Sequence, residues 1–343
     1  MKKNPTVFLG VTLLLIGATF YILLRKAPLK EMTAAILQAN VSYLLLGFSI
    51  MVIYVILEGV CIKATMHRMG EKPPISRCIG YAFVGFYFSG ITPSASGGQP
   101  AQIYFMAKDR CSVSHSMITL LLISSVYQIS MLVYGVLMYA LEYHFLAQSV
   151  VQIKWLLLLS TAINVICVML ILLALFFPKR LRECSDTILK GLYYIKVCRK
   201  INVWQEKMDK LFSEYEAGAM YVRNHSWLIG KLFIITMIRL TLLYLVPFFV
   251  YLSLGLKGHT ALQMVAMQAI LTVAVSALPL PGSVGVSESV FLLLFGMLFT
   301  PSFLLPAMLL TRGISFYAVL LLSGGIFSLS SGLKLYKQKE WVV

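Results

Sequence analysis

The chain has 343 residues, 59% hydrophobic and 12% charged, with a formal net charge of +16. An ordinary soluble domain carries about 25% charged residues, so this composition excludes one. The basic excess is no sign of nucleic-acid binding, because Lys and Arg lie in the segments between apolar runs.

Uncharged runs at 7–24, 32–57, 116–141, 155–178, 240–256, 289–311 and 313–333 recur along the chain. A spanning helix needs about 20 apolar residues, range about 17–25. The fold class is therefore an all-α polytopic membrane protein. The first run follows Lys2 and Lys3, has no small-residue cleavage site and is followed by Arg25 and Lys26. It reads as a retained anchor rather than a signal peptide.

The second run ends at Glu58, and a basic stretch with Lys63, Arg68, Lys72 and Arg77 follows. The next apolar segment is broken at Phe88–Gln102, where Pro, Gly and small hydroxyl residues interrupt it. Lipid cannot satisfy freed backbone groups, so such a break must pack inside protein or line a polar cavity. Thr92, Ser94 and Ser96 supply hydroxyls, and Gln99 and Gln102 supply neutral donors and acceptors. Gly97 and Gly98 permit close backbone approach. Amides in such a turn, with the following helix N-terminus, can form an anion-binding nest. The alternative role is a tight structural turn between half-helices; the two are compatible.

Residues 179–226 carry ten Lys/Arg. Trp204, Met208, Leu211, Phe212 and Tyr215 follow helical spacing between them. Two readings stay open: amphipathic helices in a headgroup layer, or a helical hairpin packed on the spans. Arg239 follows deep within its run, eight residues beyond Lys231.

A second break spans Ala277–Glu288, with Pro281, Gly282 and Gly285 at its centre. Glu288 opens the following helix, where a carboxylate complements the dipole. Arg312 lies between the last two runs, at the expected join of a second hairpin and the final span. Charges within spans are costly, about 2.5–3.5 kcal/mol each on insertion scales, and usually mark substrate or proton pathways. Capping, pairing or snorkelling are the structural alternatives for Glu288, Arg239, Arg312 and Glu58. Paired interruptions in two halves point to a transporter-like site.

Loop charge sets the expected topology, since Lys and Arg in short loops favour the cytoplasm. Both termini fall inside, and loops 25–40, 142–154 and 255–260 fall outside, although Arg25, Lys26 and Lys30 weigh against the first of these. The first broken segment, 80–107, then enters from inside, and the second, 260–300, from outside. The expectation is one integral domain with two halves, 1–178 and 227–333, related like an inverted repeat. It holds six full spans plus two oppositely oriented re-entrant helical hairpins. A competing count makes 80–92 or 261–279 full spans.

The six cysteines form no CxxC pair, and no HExxH, Walker A or GxSxG motif occurs. No metal, cofactor or catalytic residue is expected. The five histidines lie near segment ends.

Three stretches carry a resemblance: residues 91–104 (ITPSASGGQPAQIY), 279–288 (PLPGSVGVSE) and 309–317 (LLTRGISFY). Over roughly 5–335 the chain resembles the lysylphosphatidylglycerol synthase transmembrane family, which includes the flippase half of the bacterial multiple peptide resistance factor. The resemblance implies an inner-membrane protein that moves aminoacylated phosphatidylglycerol to the outer leaflet, which blunts cationic peptides. Many members carry an Arg and a Glu where this chain has Ser96 and Gln99, so that charge pair is not expected here. The soluble transferase domain of the resistance factor has no counterpart in this sequence. A lipid flippase is therefore the leading expectation. A phosphatidylglycerol lysyltransferase using lysyl-tRNA, or a membrane subunit for a separate synthase, is the alternative.

Overall fold

The computed structural model describes residues 29–92, 95–177, 226–278 and 280–328. The first run, the basic middle region, Ser94 and the C-terminal tail lie outside the described residues. Among the described residues every regular element is helical. In chain order these are α1 (Leu29–Gln38), α2 (Val41–Arg68), α3 (Ile75–Ile91), α4 (Gly98–Lys108), α5 (Val113–Leu141) and α6 (Tyr143–Phe176). Then come α7 (Ser226–Tyr244), α8 (Val246–Ser253), α9 (Ala261–Val275), α10 (Val286–Phe295) and α11 (Pro301–Ser328).

Five helical stretches are long and apolar enough to cross a membrane: α2, α5, α6, α7 with α8, and α11. Each matches an expected run, with shifted bounds. The Asn40 side chain caps α2 by accepting from the Ser42 amide at 3.0 Å, so the helix starts at Val41 rather than 32. The 240–256 run extends back to Trp227, because Arg239 is neutralised by a partner and does not interrupt the helix. The run at 289–311 is not one helix. It divides between α10 and α11, with Gly296 after the first and Pro301 at the start of the second. Proline suits a first helical turn but not a helix interior.

Arg312 is likewise not at a join. It sits inside α11, where a π-turn at Gly313–Ala318 continues the helix. π-Turns inside α-helices concentrate at functional positions.

The core forms where α2, α5, α7 and α9 pack on one another. Met51, Val55 and Ile62 of α2, Leu240 and Tyr244 of α7, and Met264, Ala266 and Met267 of α9 are buried there. The uncharged part of α6 leaves Leu158, Leu159, Ile166 and Leu170 exposed, as a lipid-facing helix does.

The two broken segments are short helices folded back at their breaks. α3 and α4 pack against each other, and their contacts run antiparallel, Gly98 against Ser89 and Gly85, Gln102 against Tyr81. The approach needs glycine. A Cβ on Gly98 would run into the Ser89 side chain and stand 2.9 Å from the Gly85 carbonyl oxygen. α9 and α10 pack against each other in the same way. The helix lengths of α3 (17 residues), α9 (15) and α10 (10) fall short of the spanning helices.

Candidate functional site

The first break is closed by its own hydroxyl. Thr92 Oγ1 donates to the Phe88 carbonyl at 2.6 Å and accepts from the Gly97 amide at 2.8 Å. Ala95 takes the left-handed conformation with φ 54°. Gly97's amide is thus already engaged, and Gly98 is used for helix approach. Gln99 is exposed and donates to Ser124 Oγ at 2.5 Å; Ser96 is exposed as well.

Gln102 is 3% exposed and ties this hairpin to the bundle. Its Nε2 donates to Glu58 Oε1 at 3.0 Å and to the Tyr81 carbonyl at 3.2 Å. Glu58 Oε2 accepts from Arg239 Nη2 at 2.7 Å. Arg239 Nε reaches the Tyr54 carbonyl at 3.2 Å, and the guanidinium lies 4.7 Å from the Tyr54 ring centroid. Arg239 is only 2% exposed. A buried charge needs this degree of pairing, since an unpaired one costs several kcal/mol. Glu58 is therefore the acidic partner that lets Arg239 sit inside the bundle.

The second break is built on positive φ. Gly282 (57°), Ser283 (52°) and Gly285 (91°) turn the chain between α9 and α10. A Cβ on Gly282 would collide with the Phe316 ring. Glu288 Oε2 accepts from the Gly285 amide at 2.6 Å, which caps α10. Its other oxygen accepts from Arg312 Nε at 2.8 Å, and Arg312 Nη2 donates to the Gly282 carbonyl at 2.8 Å. The guanidinium carbon lies 4.9 Å from the Phe316 ring centroid. Arg312 Nη1 has no hydrogen-bond partner among the described residues.

α6 supplies the rest of the support. Asn164 Nδ2 donates to Ser276 Oγ at 2.7 Å, and the Ala277 amide donates to Ser160 Oγ at 3.3 Å. Ser160 thus satisfies the amide just past the end of α9, and Asn164, one turn further along α6, holds the neighbouring Ser276 hydroxyl. Nothing in the reading of the 155–178 run had marked Ser160 or Asn164. Their i, i+4 spacing in that run is the signal that could have pointed to them.

The two breaks meet at a cavity of about 210 Å³. Ser89, Gly90 and Ala95 line it from the first, and Ser276, Leu278, Gly282 and Ser283 from the second. A second cavity of about 190 Å³ continues from it, sharing Phe86, Gly282, Ser283 and Phe316. Arg312, Gln268, Thr272, Ser287, Thr311 and Ser315 bring polar groups to its wall. Gln268 Oε1 and Thr311 Oγ1 are buried there without a hydrogen-bond partner. An orphaned buried polar group is costly and calls for a water or ligand.

Of the expected site residues, the structure brings Gly282 and Arg312 to the cavity, with Gly285 and Glu288 directly behind. Pro281 belongs to the 3₁₀ turn of the second break. Thr92, Gly97, Gly98, Gln99 and Gln102 shape the first hairpin outside the cavity lining, and Arg239 lies behind Tyr54. Among the described residues no three His, Cys, Asp or Glu side chains stand together as metal ligands.

Apolar helices long enough to cross a membrane, with two interrupted segments that meet at a cavity, describe a multi-pass membrane protein. A family model described as the lysylphosphatidylglycerol synthase TM region matches residues 7–323. The match covers most of the chain, and the protein belongs to that family. No curated protein matches the chain significantly.

Proposed function

We propose that this protein is a lipid flippase, moving an anionic or aminoacylated phospholipid, or a lipid-linked head group, through the cavities between the two breaks. The observation that carries the reading is the meeting of both interruptions at one void whose mainly apolar wall carries serines from both segments. Arg312 offers Nη1 toward a phosphate, while Glu288 and Gly282 hold its other nitrogens. Thr311, Gln268 and Ser287 are the neutral partners for the remainder of a head group. Ser89, Gly90 and Ala95 bring the first hairpin to the cavity, and Thr92, Gly97, Gly98, Gln99 and Gln102 hold that hairpin in place behind them. The walls combine apolar side chains such as Phe86, Leu280 and Phe316 with neutral polar groups and the one arginine, which suits a lipid whose head group carries little net charge.

In this reading the protein sits in a bacterial inner membrane with both termini in the cytoplasm. The hairpins enter from opposite faces, and a separate synthase supplies the lipid. The test is reconstitution into liposomes with head-group-labelled phosphatidylglycerol and lysylphosphatidylglycerol. Leaflet exchange faster than in protein-free vesicles is expected. Equal exchange with and without protein, for both lipids, would overturn the reading.

The family's description favours a second reading, lysyl transfer onto phosphatidylglycerol or service as the membrane part of a synthase. Incubating the same vesicles with labelled lysyl-tRNA separates the two. Labelled lipid without exchange would replace the flippase with an enzyme.

A further inference from the structure

A separate cavity of about 240 Å³ opens where α2 ends and α7 begins. Lys63, His67 and Arg68 line it from α2, and Trp227 and Lys231 from α7. Lys63 and His67 are one turn apart, as are Trp227 and Lys231, so each helix presents its basic residues on one face. The Arg68 guanidinium carbon lies 4.7 Å from the Trp227 ring centroid, and Lys231 Nζ lies 6.0 Å from it. The indole thus holds two cationic heads at the cavity wall.

Among the described residues no carboxylate pairs with Lys63, Arg68 or Lys231. The dipole of α2 accounts for part of the cluster, since His67 and Arg68 occupy its last turn. It does not account for Lys63 or for Lys231. Like charges gathered around one concavity repel unless an anion enters. Tryptophan beside basic residues at the end of an apolar span is the composition of a membrane–water interface.

We infer that this cavity binds a phosphate-bearing anion, with Lys63, Arg68 and Lys231 on its oxygens and Trp227 as the flanking aromatic. The site is distinct from the cavity between the breaks and does not depend on lipid transport. The phosphate has two sources, an anionic lipid head group at the interface or soluble phosphate.

The experiment uses the full chain with Trp155→Phe, Trp204→Phe and Trp341→Phe, leaving Trp227 as the sole indole. Its emission is compared in phosphatidylglycerol nanodiscs, in phosphatidylcholine nanodiscs, and in the latter with added inorganic phosphate. A change with phosphatidylglycerol alone assigns the lipid. A change with inorganic phosphate assigns the soluble anion. Lys63→Gln/Arg68→Gln/Lys231→Gln should weaken either response on the order of 100-fold, given what each basic residue contributes at an anionic surface. Lys63→Arg/Lys231→Arg, which keeps the charge, should retain it. Both basic-residue variants change exposed side chains, and size-exclusion profiles matching the parent verify the fold. Identical emission under all three conditions, or a response undiminished in the triple glutamine variant, would overturn the inference.

Discussion

Arg312 and Glu288 lie 24 residues apart and meet as a buried ion pair, Nε to Oε1 at 2.8 Å, across the second break. The same guanidinium grips the Gly282 carbonyl, and the same carboxylate grips the Gly285 amide. One pair therefore fixes both sides of the turn and fastens it to α11. Glu58 and Arg239 do the parallel task for the first hairpin, with Gln102 as the link. For each interrupted segment, an arginine on a long span and a glutamate hold it in position, Arg239 reaching across from the second half to serve the first hairpin. Each pair has one deeply buried member, Arg239 at 2% and Glu288 at 1% exposed, and one part-exposed member, Glu58 and Arg312.

Removing one charge of the Glu288–Arg312 pair strands the other. Arg312→Met leaves a buried carboxylate with the Gly285 amide alone, and Glu288→Gln leaves a buried guanidinium with the Gly282 carbonyl. Each should destabilise by about 3–5 kcal/mol, and the double variant, with no stranded charge, by less than either single variant. Unfolding midpoints in detergent for all four proteins give the coupling energy. Additive effects would show that the two charges do not sense each other.

Two glycines of the first hairpin should respond in opposite directions. A Cβ on Gly98 meets Ser89 and the Gly85 carbonyl, whereas one on Gly80, in α3, meets nothing within 4 Å. Gly98→Ala should cost about 1–3 kcal/mol by overpacking. Gly80→Ala should gain about 0.5–1 kcal/mol from helix propensity. Thermal melts of the two variants make the comparison, and similar shifts for both would refute the close α3–α4 approach.

Both breaks were legible in the sequence because Pro and Gly clusters stand out against runs that otherwise have no reason to stop. Glu288, Arg239 and Arg312 were legible as charges in apolar surroundings. Their partners were not, because pairing is a matter of packing: Arg239 meets Glu58 from 181 positions away. Glu58 looked like an interfacial residue only because it ends its apolar run. Ser160 and Asn164 vanish into the mean hydropathy of α6, although they hold the second break. The split of 289–311 was written in Gly296 and Pro301 but outweighed by the uncharged run around them. Those interruptions change helix geometry without adding any charge that a hydropathy reading would register.

Cys111 lies in the turn between α4 and α5, 9% exposed. Burial raises its thiol pKa, the Glu71 and Asp109 carboxylates raise it further, and Arg77 lowers it. A raised value keeps more of the thiol protonated at neutral pH, and only the thiolate reacts. With the other five cysteines replaced, maleimide labelling should be slow at pH 7 and still climbing beyond pH about 8.5, the ordinary thiol value. Arg77→Gln should slow it further. A rate that levels off below that pH would contradict the assignment.

Thr311 separates stability from transport. Its Oγ1 is buried without a partner on the wall of the cavity that Arg312 lines. Burying an unsatisfied hydroxyl costs about 1–3 kcal/mol, so Thr311→Val, close in shape, should leave the melting point unchanged or raise it. If the hydroxyl exists to meet a head group, the same substitution should reduce leaflet exchange several-fold in proteoliposomes. The magnitude follows from one lost neutral hydrogen bond at about 0.5–1.5 kcal/mol. A more stable protein that transports less is the signature of a polar group kept for a ligand at the expense of the fold. Unchanged exchange with raised stability would place the head group elsewhere, and a lowered melting point would mean that Thr311 is satisfied in the folded protein after all.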